Sequence, residues 1–298
     1  MKLKLGTNLG FAANRYPEPE VWGRIVGQTL GLRYAQFTAD LCSPWNPDDY
    51  IDAYLGRVLR MMDKYDFKID GVFTSTYTRL NWLAHPDARS REIASNWFKK
   101  FLKMGKRLGA KNAGSHFGIM SFDTYDDPAK REAITEAAIK GWQELTFFAQ
   151  ELGYECLIFE PMSVPREYAN TTDGAKYLMD RVNERCGVPM RLCLDVGHAP
   201  DPSERDPYPW LEKLGAWSPV VHLQQTVLHR STHQPFTEEA NKTGIIKGER
   251  VLECLGRSGA QEALLAFEIA HREHHDTDTS VVEDHVASVE YWRQFVKD

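Results

Sequence analysis

The sequence predicts an α/β protein built as a single (β/α)8 barrel over residues 1–298. Three observations lead there. Eight short apolar runs have the length and composition of strands buried on both faces. Helical patterns, apolar at every third or fourth position, lie between them. Glycines close several of those helices just ahead of the next run, where a left-handed residue costs least.

In chain order, the first three runs are residues 4–9, 34–38 and 69–74. A helical pattern follows at 91–108, carried by Ile93, Trp97, Phe98, Phe101, Leu102, Met104 and Leu108, and Arg107-Leu108-Gly109-Ala110 ends it. The fourth run is 112–116. The next helical pattern, 133–152, carries Ile134, Ala138, Trp142, Leu145, Phe148 and Leu152 and closes through Glu151-Leu152-Gly153-Tyr154. Runs five to eight are 156–160, 191–195, 220–223 and 264–269. Long polar loops at 224–248 and 270–279 follow the last two, and in a barrel such loops build the active-site face. An open doubly wound sheet would show the same alternation. The absence of a GxGxxG after the first run weakens its dinucleotide-binding form. No linker, low-complexity segment or internal repeat divides the chain, and barrels of this size fold as one unit.

Of the 298 residues, 42% are hydrophobic and 26% charged, which supports a large core and argues against disorder. The net charge of −6, with no basic run, makes duplex nucleic acid an improbable partner. Cys42, Cys156, Cys186, Cys193 and Cys254 are odd in number, scattered and never spaced as CxxC, so they suit a reducing cytoplasm rather than a disulfide framework. The first ten residues turn polar before any signal-like apolar stretch, and no run of membrane-spanning length follows. A soluble protein is expected.

The chemistry is expected at the ends of the last four strands. Glu160 ends the fifth, Asp195 the sixth, His222 the seventh and Glu268 the eighth, so four possible ligands converge on one rim. Three carboxylates sharing a small buried space need a cation, because burial disfavours their ionised form. Three oxygen ligands and one imidazole suit Mn²⁺, Mg²⁺ or Co²⁺, and Zn²⁺ is compatible with the same ligand types. His198, three residues after Asp195, is placed to contact substrate or to orient a ligand rather than to bind the metal first.

With Phe159-Glu160-Pro161 and Asp195-Val196-Gly197-His198-Ala199, this quartet resembles the xylose isomerase-like TIM barrels. Within them it is most similar to the sugar-phosphate isomerase/epimerase group that includes D-tagatose 3-epimerase. The resemblance covers nearly the whole chain. It implies that Glu160, Asp195, His222 and Glu268 bind one divalent ion and that Glu160 and Glu268 also exchange the substrate proton. Such barrels usually associate, which implies a homo-oligomer. In that group a further glutamate and an arginine contact substrate hydroxyls; here Glu167 and Arg230 are the candidates, at shifted spacing. The stretch His222-Leu223-Gln224-Gln225-Thr226, then His229-Arg230 and His233-Gln234-Pro235-Phe236-Thr237, resembles tetrulose-phosphate epimerases, implying a short ketose phosphate as substrate.

Further candidates for substrate or phosphate contact are His116, His233 and Lys247, followed by Asn8, Thr74, Arg166 and Arg272. Phosphate often sits on barrel loops seven and eight, which favours Arg230 and Lys247. Trp22, Trp45, Trp82 and Trp210 are expected to serve packing first. Aldose–ketose isomerisation on the same site is one alternative activity. A phosphodiesterase like endonuclease four is another, and His116 and His198 match two of its ligands. The third strand, however, ends in Phe73-Thr74-Ser75 without histidine, and Ser231-Thr232-His233 stands where Asp-x-His would be required. A dehydratase, or a barrel that has lost its chemistry, would share the same fold.

Overall fold

A computed structural model describes residues 1–198, 206–271 and 279–297. Its strands are β1 (Lys2–Asn8), β2 (Tyr34–Thr38), β3 (Lys68–Phe73), β4 (Asn112–His116), β5 (Cys156–Glu160), β6 (Met190–Asp195), β7 (Val220–Leu223) and β8 (Glu262–Phe267). All pair in parallel in sequence order, and β8 returns to pair with β1, closing the barrel that the alternating pattern predicts.

Around it, among the described residues, run α1 (Pro19–Arg24), α2 (Asp48–Tyr65), α3 (Ala88–Arg107), α4 (Phe122–Asp126) and α5 (Pro128–Glu151). They are followed by α6 (Thr172–Asn183), α7 (Pro207–Leu214), α8 (Glu238–Thr243), α9 (Gly248–Ser258) and α10 (Val281–Trp292). None is long and apolar enough to cross a membrane. The two helices read from apolar spacing start earlier than that spacing shows. Asp87 caps α3 by accepting from Ser90 N, and Asp127 caps α5 ahead of Pro128, so the polar first turns are fixed by caps rather than by the apolar stripe. Gly109 and Gly153 adopt φ of +82° and +75°, the left-handed turns expected there. The 224–248 loop is not wholly irregular. It contains α8 and a short antiparallel bridge between Gln225 and Gln234.

Strand side chains alternate between two layers. One set packs outward on the helices in a large core. The other fills the barrel with its own cluster, in which Cys156 and Ile158 of β5, Cys193 of β6, Val220 of β7, and Leu264 and Ala266 of β8 meet Phe73. Two residues further along each of these four strands stand Glu160, Asp195, His222 and Glu268. The quartet therefore continues the inward-facing rows, one layer above an apolar plug, at the C-terminal mouth. At the opposite end Lys4 pairs with Asp70 and Glu262, closing the barrel floor.

Candidate metal centre and substrate cavity

The quartet atoms converge: one ligand atom from each of Glu160, Asp195, His222 and Glu268 lies within 4.8 Å of the others. His222 Nδ1 sits 2.8 Å from Glu160 Oε1 and 3.1 Å from Glu268 Oε2. Glu160 and Asp195 are the last residues of their strands. His222 is the penultimate residue of β7, and Glu268 lies one residue beyond β8, where its N–H still donates to Leu223 O at 2.9 Å.

A chain of hydrogen bonds sets the His222 ring. Gly10 N donates to Asn8 Oδ1 (2.7 Å), which turns Asn8 Nδ2 towards Gln36 Oε1 (2.8 Å). Gln36 Oε1 is thus an acceptor, and His222 Nε2 must carry the proton that it donates there at 2.8 Å. Nδ1 is left facing the carboxylates: without an ion it carries a second proton and donates to Glu160 Oε1 at 2.8 Å, and losing that proton would make it a ligand nitrogen. Asp195 is fixed similarly: its Oδ1 accepts from Gly197 N (2.6 Å) and from Gln224 Nε2 (2.9 Å). A Cβ on Gly197 would lie 2.2 Å from the Gln224 side chain, so the glycine gives that amide its path. Asp195 Oδ2 and Glu268 Oε2 are buried and have no hydrogen-bond donor among the described residues.

The electrostatics ask for positive charge at this point. Burial opposes protonation of His222, yet Glu268 and Glu160 beside it hold its pKa well above the usual histidine range. Burial would raise Glu268, but His222, with His233 and His198, pulls it below the usual carboxylate range. Asp195 is pushed up, chiefly by burial, against the pull of His198 and His233. Buried carboxylate oxygens without a donor, an imidazole nitrogen turned towards them and a field that draws a second proton onto that ring fit one divalent ion, which would take the proton's place.

Over the quartet opens a cavity of 80 Å³ bounded by Thr74, His116, Met162, His198 and Arg79. It adjoins a wider one of 510 Å³ that reaches Asn8, Arg15, Ser75, Ser231 and Thr232, and Arg79, His233 and Glu268 line both. Among the residues read from sequence, His198 is buried, with Nδ1 3.8 Å from Glu160 Oε1 and Nε2 3.4 Å from His233 Nε2. The charge of Asp195 raises the His198 pKa despite its burial. His116 donates from Nε2 to Leu80 O (2.7 Å), and burial pushes its pKa down to about 4, so the ring is neutral. Thr74 and Ser115 share a hydroxyl hydrogen bond of 2.8 Å.

Other expected contacts lie elsewhere. Glu167 is buried but lines neither cavity; it holds Arg79 in an ion pair. Arg230 is exposed, and the Lys247 ammonium donates to Asn241 O at 3.0 Å; neither lines these cavities. Arg166 donates to Met120 O at 3.0 Å. Trp22, Trp82 and Trp210 are packed in the core, while Trp45 is 63% exposed. Ala199 and Arg272 lie outside the described residues. Sequence reading did not single out Gln36, Gln224, Arg15 or Arg79. The alternation of β2, with Tyr34 inward and Gln36 two residues on, is the one signal that could have pointed to Gln36.

A closed parallel barrel with a carboxylate–imidazole cluster at its C-terminal mouth has the architecture of a barrel enzyme. The chain belongs to the xylose isomerase-like TIM barrel family, whose model matches residues 27–294. It is 30% identical over 297 residues to the D-erythrulose 1-phosphate 3-epimerase of Brucella abortus (strain 2308), covering 98% of this chain and 96% of the relative. Among solved structures, a Rhodospirillum rubrum protein provisionally named a xylose isomerase superposes with a TM-score of 0.89 at 27% identity, over 99% of this chain and 100% of that one. A Clostridium cellulolyticum D-psicose 3-epimerase with D-tagatose shares the fold, with a TM-score of 0.74 at 14% identity, over 99% and 100% of the two chains.

Proposed function

We propose that this protein is an isomerase: a divalent-cation-dependent 3-epimerase of a short ketose phosphate, with D-erythrulose 1-phosphate as the first substrate to test. The observation that carries this reading is the pair of glutamates. Glu160 from β5 and Glu268 from beyond β8 reach the same His222 nitrogen, at 2.8 and 3.1 Å, from separate parts of the barrel wall. The relative's name supplies the substrate.

Glu160, Asp195, His222 and Glu268 are the residues that would hold the ion, Mn²⁺, Mg²⁺ or Co²⁺ by ligand type, with Zn²⁺ also compatible. When bound, such an ion supplies positive charge beside a ketone oxygen and its neighbouring hydroxyl, which acidifies the intervening C–H. One glutamate removes the C3 proton from one face, and the other returns a proton to the opposite face, inverting the carbon. His198 is placed to donate to a substrate oxygen at the cavity wall, whereas the neutral His116, whose single N–H goes to Leu80 O, offers only a lone pair there. The whole chain, residues 1–298, acts as one barrel domain in this reading. A cytoplasmic setting, which the five free cysteines suit, and association into a homo-oligomer complete it.

D-erythrulose 1-phosphate incubated with enzyme and Mn²⁺ in deuterated water should yield its C3 epimer with deuterium at C3. Movement of the carbonyl to C1 in a ketose whose C1 hydroxyl is free, assayed in parallel, would make the enzyme an aldose–ketose isomerase. If no ketose or ketose phosphate exchanges a carbon-bound hydrogen, proton transfer is the wrong chemistry and a hydrolase reading replaces it.

The Asn8–Gln36–His222 chain yields a second prediction. Gln36→Leu keeps the side chain's approximate volume but leaves His222 Nε2–H without its acceptor. Loss of such an outer partner should weaken Mn²⁺ binding about 10–100-fold, measured by calorimetry, with the fold retained. Unchanged affinity would show that the ring needs no such support.

A further inference from the structure

We propose that His233 is a positioning residue for His198: its Nε2 accepts a hydrogen bond from His198 Nε2–H, and Gln224 holds it in place to do so. The proposal rests on the epimerase reading above, in which His198 meets a substrate oxygen, and adds to it the two residues that aim that ring. His198 Nε2 and His233 Nε2 lie 3.4 Å apart, with the rings edge to face at 76°. Two imidazole nitrogens that face each other need one proton between them, and His233 has its own proton elsewhere. Its Nδ1 is 3.1 Å from Glu268 O, a carbonyl that can only accept, so Nδ1 carries the hydrogen and Nε2 presents a lone pair. His198 Nε2 is therefore the donor. The other ring nitrogen, Nδ1, is left towards Glu160 Oε1, 3.8 Å away, at the wall of the chamber over the quartet. Hydrogen bonds of this kind are often long before substrate arrives and tighten in the complex.

The backbone of His233 shows that its placement is enforced. Its φ is +47°, a left-handed conformation that persists outside glycine where surrounding contacts over-determine it. They do so here. His233 N–H donates to Gln224 Oε1 at 2.6 Å, and its carbonyl accepts from Ala270 N at 3.0 Å. One residue on, Gln234 exchanges both backbone hydrogen bonds with Gln225, at 2.8 and 2.9 Å. The Gln224 amide can lie only one way round, because Oε1 faces the His233 N–H while Nε2 donates to Asp195 Oδ1 at 2.9 Å. Gln224, fully buried, thus ties a carboxylate of the quartet to the backbone that aims His233. Glycine or asparagine would occupy this left-handed position at lower cost, so the histidine is explained by what its ring does.

Substitutions at His233 separate aiming from architecture. Asparagine suits the left-handed backbone and can still donate to Glu268 O, but it is too short to reach His198; glutamine fits the backbone less well and can bring Oε1 to the place of His233 Nε2. With Mn²⁺-saturated enzyme and D-erythrulose 1-phosphate, His233→Asn should lower kcat/KM about 5–15-fold, the size of one orienting hydrogen bond, while His233→Gln stays within about 3-fold of the wild type. In a His198→Ala background, His233→Asn should cost less than about 2-fold, because the ring that it aims is gone. Mn²⁺ affinity, measured by calorimetry, should be unchanged in His233→Asn, since Gln224 and the quartet stay in place. A purely architectural role predicts the reverse ranking, with asparagine active and glutamine impaired. That ranking, or an undiminished loss in the His198→Ala background, would overturn the proposal. Nitrogen-15 NMR of the Mg²⁺-loaded protein reads the hydrogen bond without turnover: His233 should carry its proton on Nδ1 and His198 a proton on Nε2, and the His198 Nε2 signal should move in His233→Asn. If the wild type turns over no ketose phosphate, the epimerase reading falls, and the spectrum still decides whether His233 aims His198, because a His233 ring with its proton on Nε2 alone cannot.

Discussion

Removing divalent cations with EDTA, followed by desalting, should reduce epimerase activity to below about 1% of the starting rate, and Mn²⁺ should restore it. The same treatment should lower the melting temperature. A ligand present at 100 times its Kd stabilises the folded state by about 2.7 kcal/mol, worth roughly 4 °C in a chain of this size. The expectation follows from the crowding of Glu160, Asp195 and Glu268, whose oxygens lie within 4.8 Å of one another and of His222 nitrogen. Asp195 Oδ2 and Glu268 Oε2 have no donor among the described residues to offset their charge. Elemental analysis must confirm that the treated protein is free of metal. Full activity in that state would remove the ion from the reaction, and an unchanged melting temperature on Mn²⁺ addition would remove it from the quartet.

The barrel was legible because its signals are local. The runs 34–38, 112–116, 156–160 and 220–223 coincide with β2, β4, β5 and β7, each an apolar stretch bounded by polar turns. The quartet could be read as a group because a (β/α)8 fold brings all strand C-termini to one rim. The placement of Glu268 shows the limit of that reading. The apolar run continues to Ile269, but the β8 ladder ends at Phe267, and only hydrogen-bond geometry distinguishes the strand from its continuation.

The supporting residues were less legible because their roles arise from distant neighbours. Gln36 matters through His222, 186 positions away, and Arg79 through Glu167, 88 positions away. A glutamine and an arginine carry no sign of such partners in a single sequence. Arg230 and Lys247 illustrate the converse. Their expected role came from a rule about where barrels hold phosphate, whereas among the described residues the cavity-lining arginines are on the loops after β1 and β3.

Glu160→Gln and Glu268→Gln should each lower epimerisation about 10²–10⁴-fold, the range for loss of a positioned proton carrier. Glutamine retains an oxygen that can ligate, so the assay is run over a range of Mn²⁺ concentrations; a defect that persists at saturation belongs to proton transfer rather than to cation loss. The two variants should also fail in different ways. With one carboxylate gone, the survivor can still take the C3 proton from the epimer that presents it on its own face and return a solvent proton to that face. In deuterated water each variant should therefore exchange the C3 hydrogen of one epimer without inverting it, and the two variants should do so with opposite epimers. Reciprocal wash-out requires two bases on two faces, and Glu160 and Glu268, entering from β5 and from beyond β8, are placed to provide them. If both variants exchange the same epimer, or either retains more than about a tenth of wild-type inversion at saturating Mn²⁺, the two-base mechanism fails. A single base working on one face would then account for the chemistry.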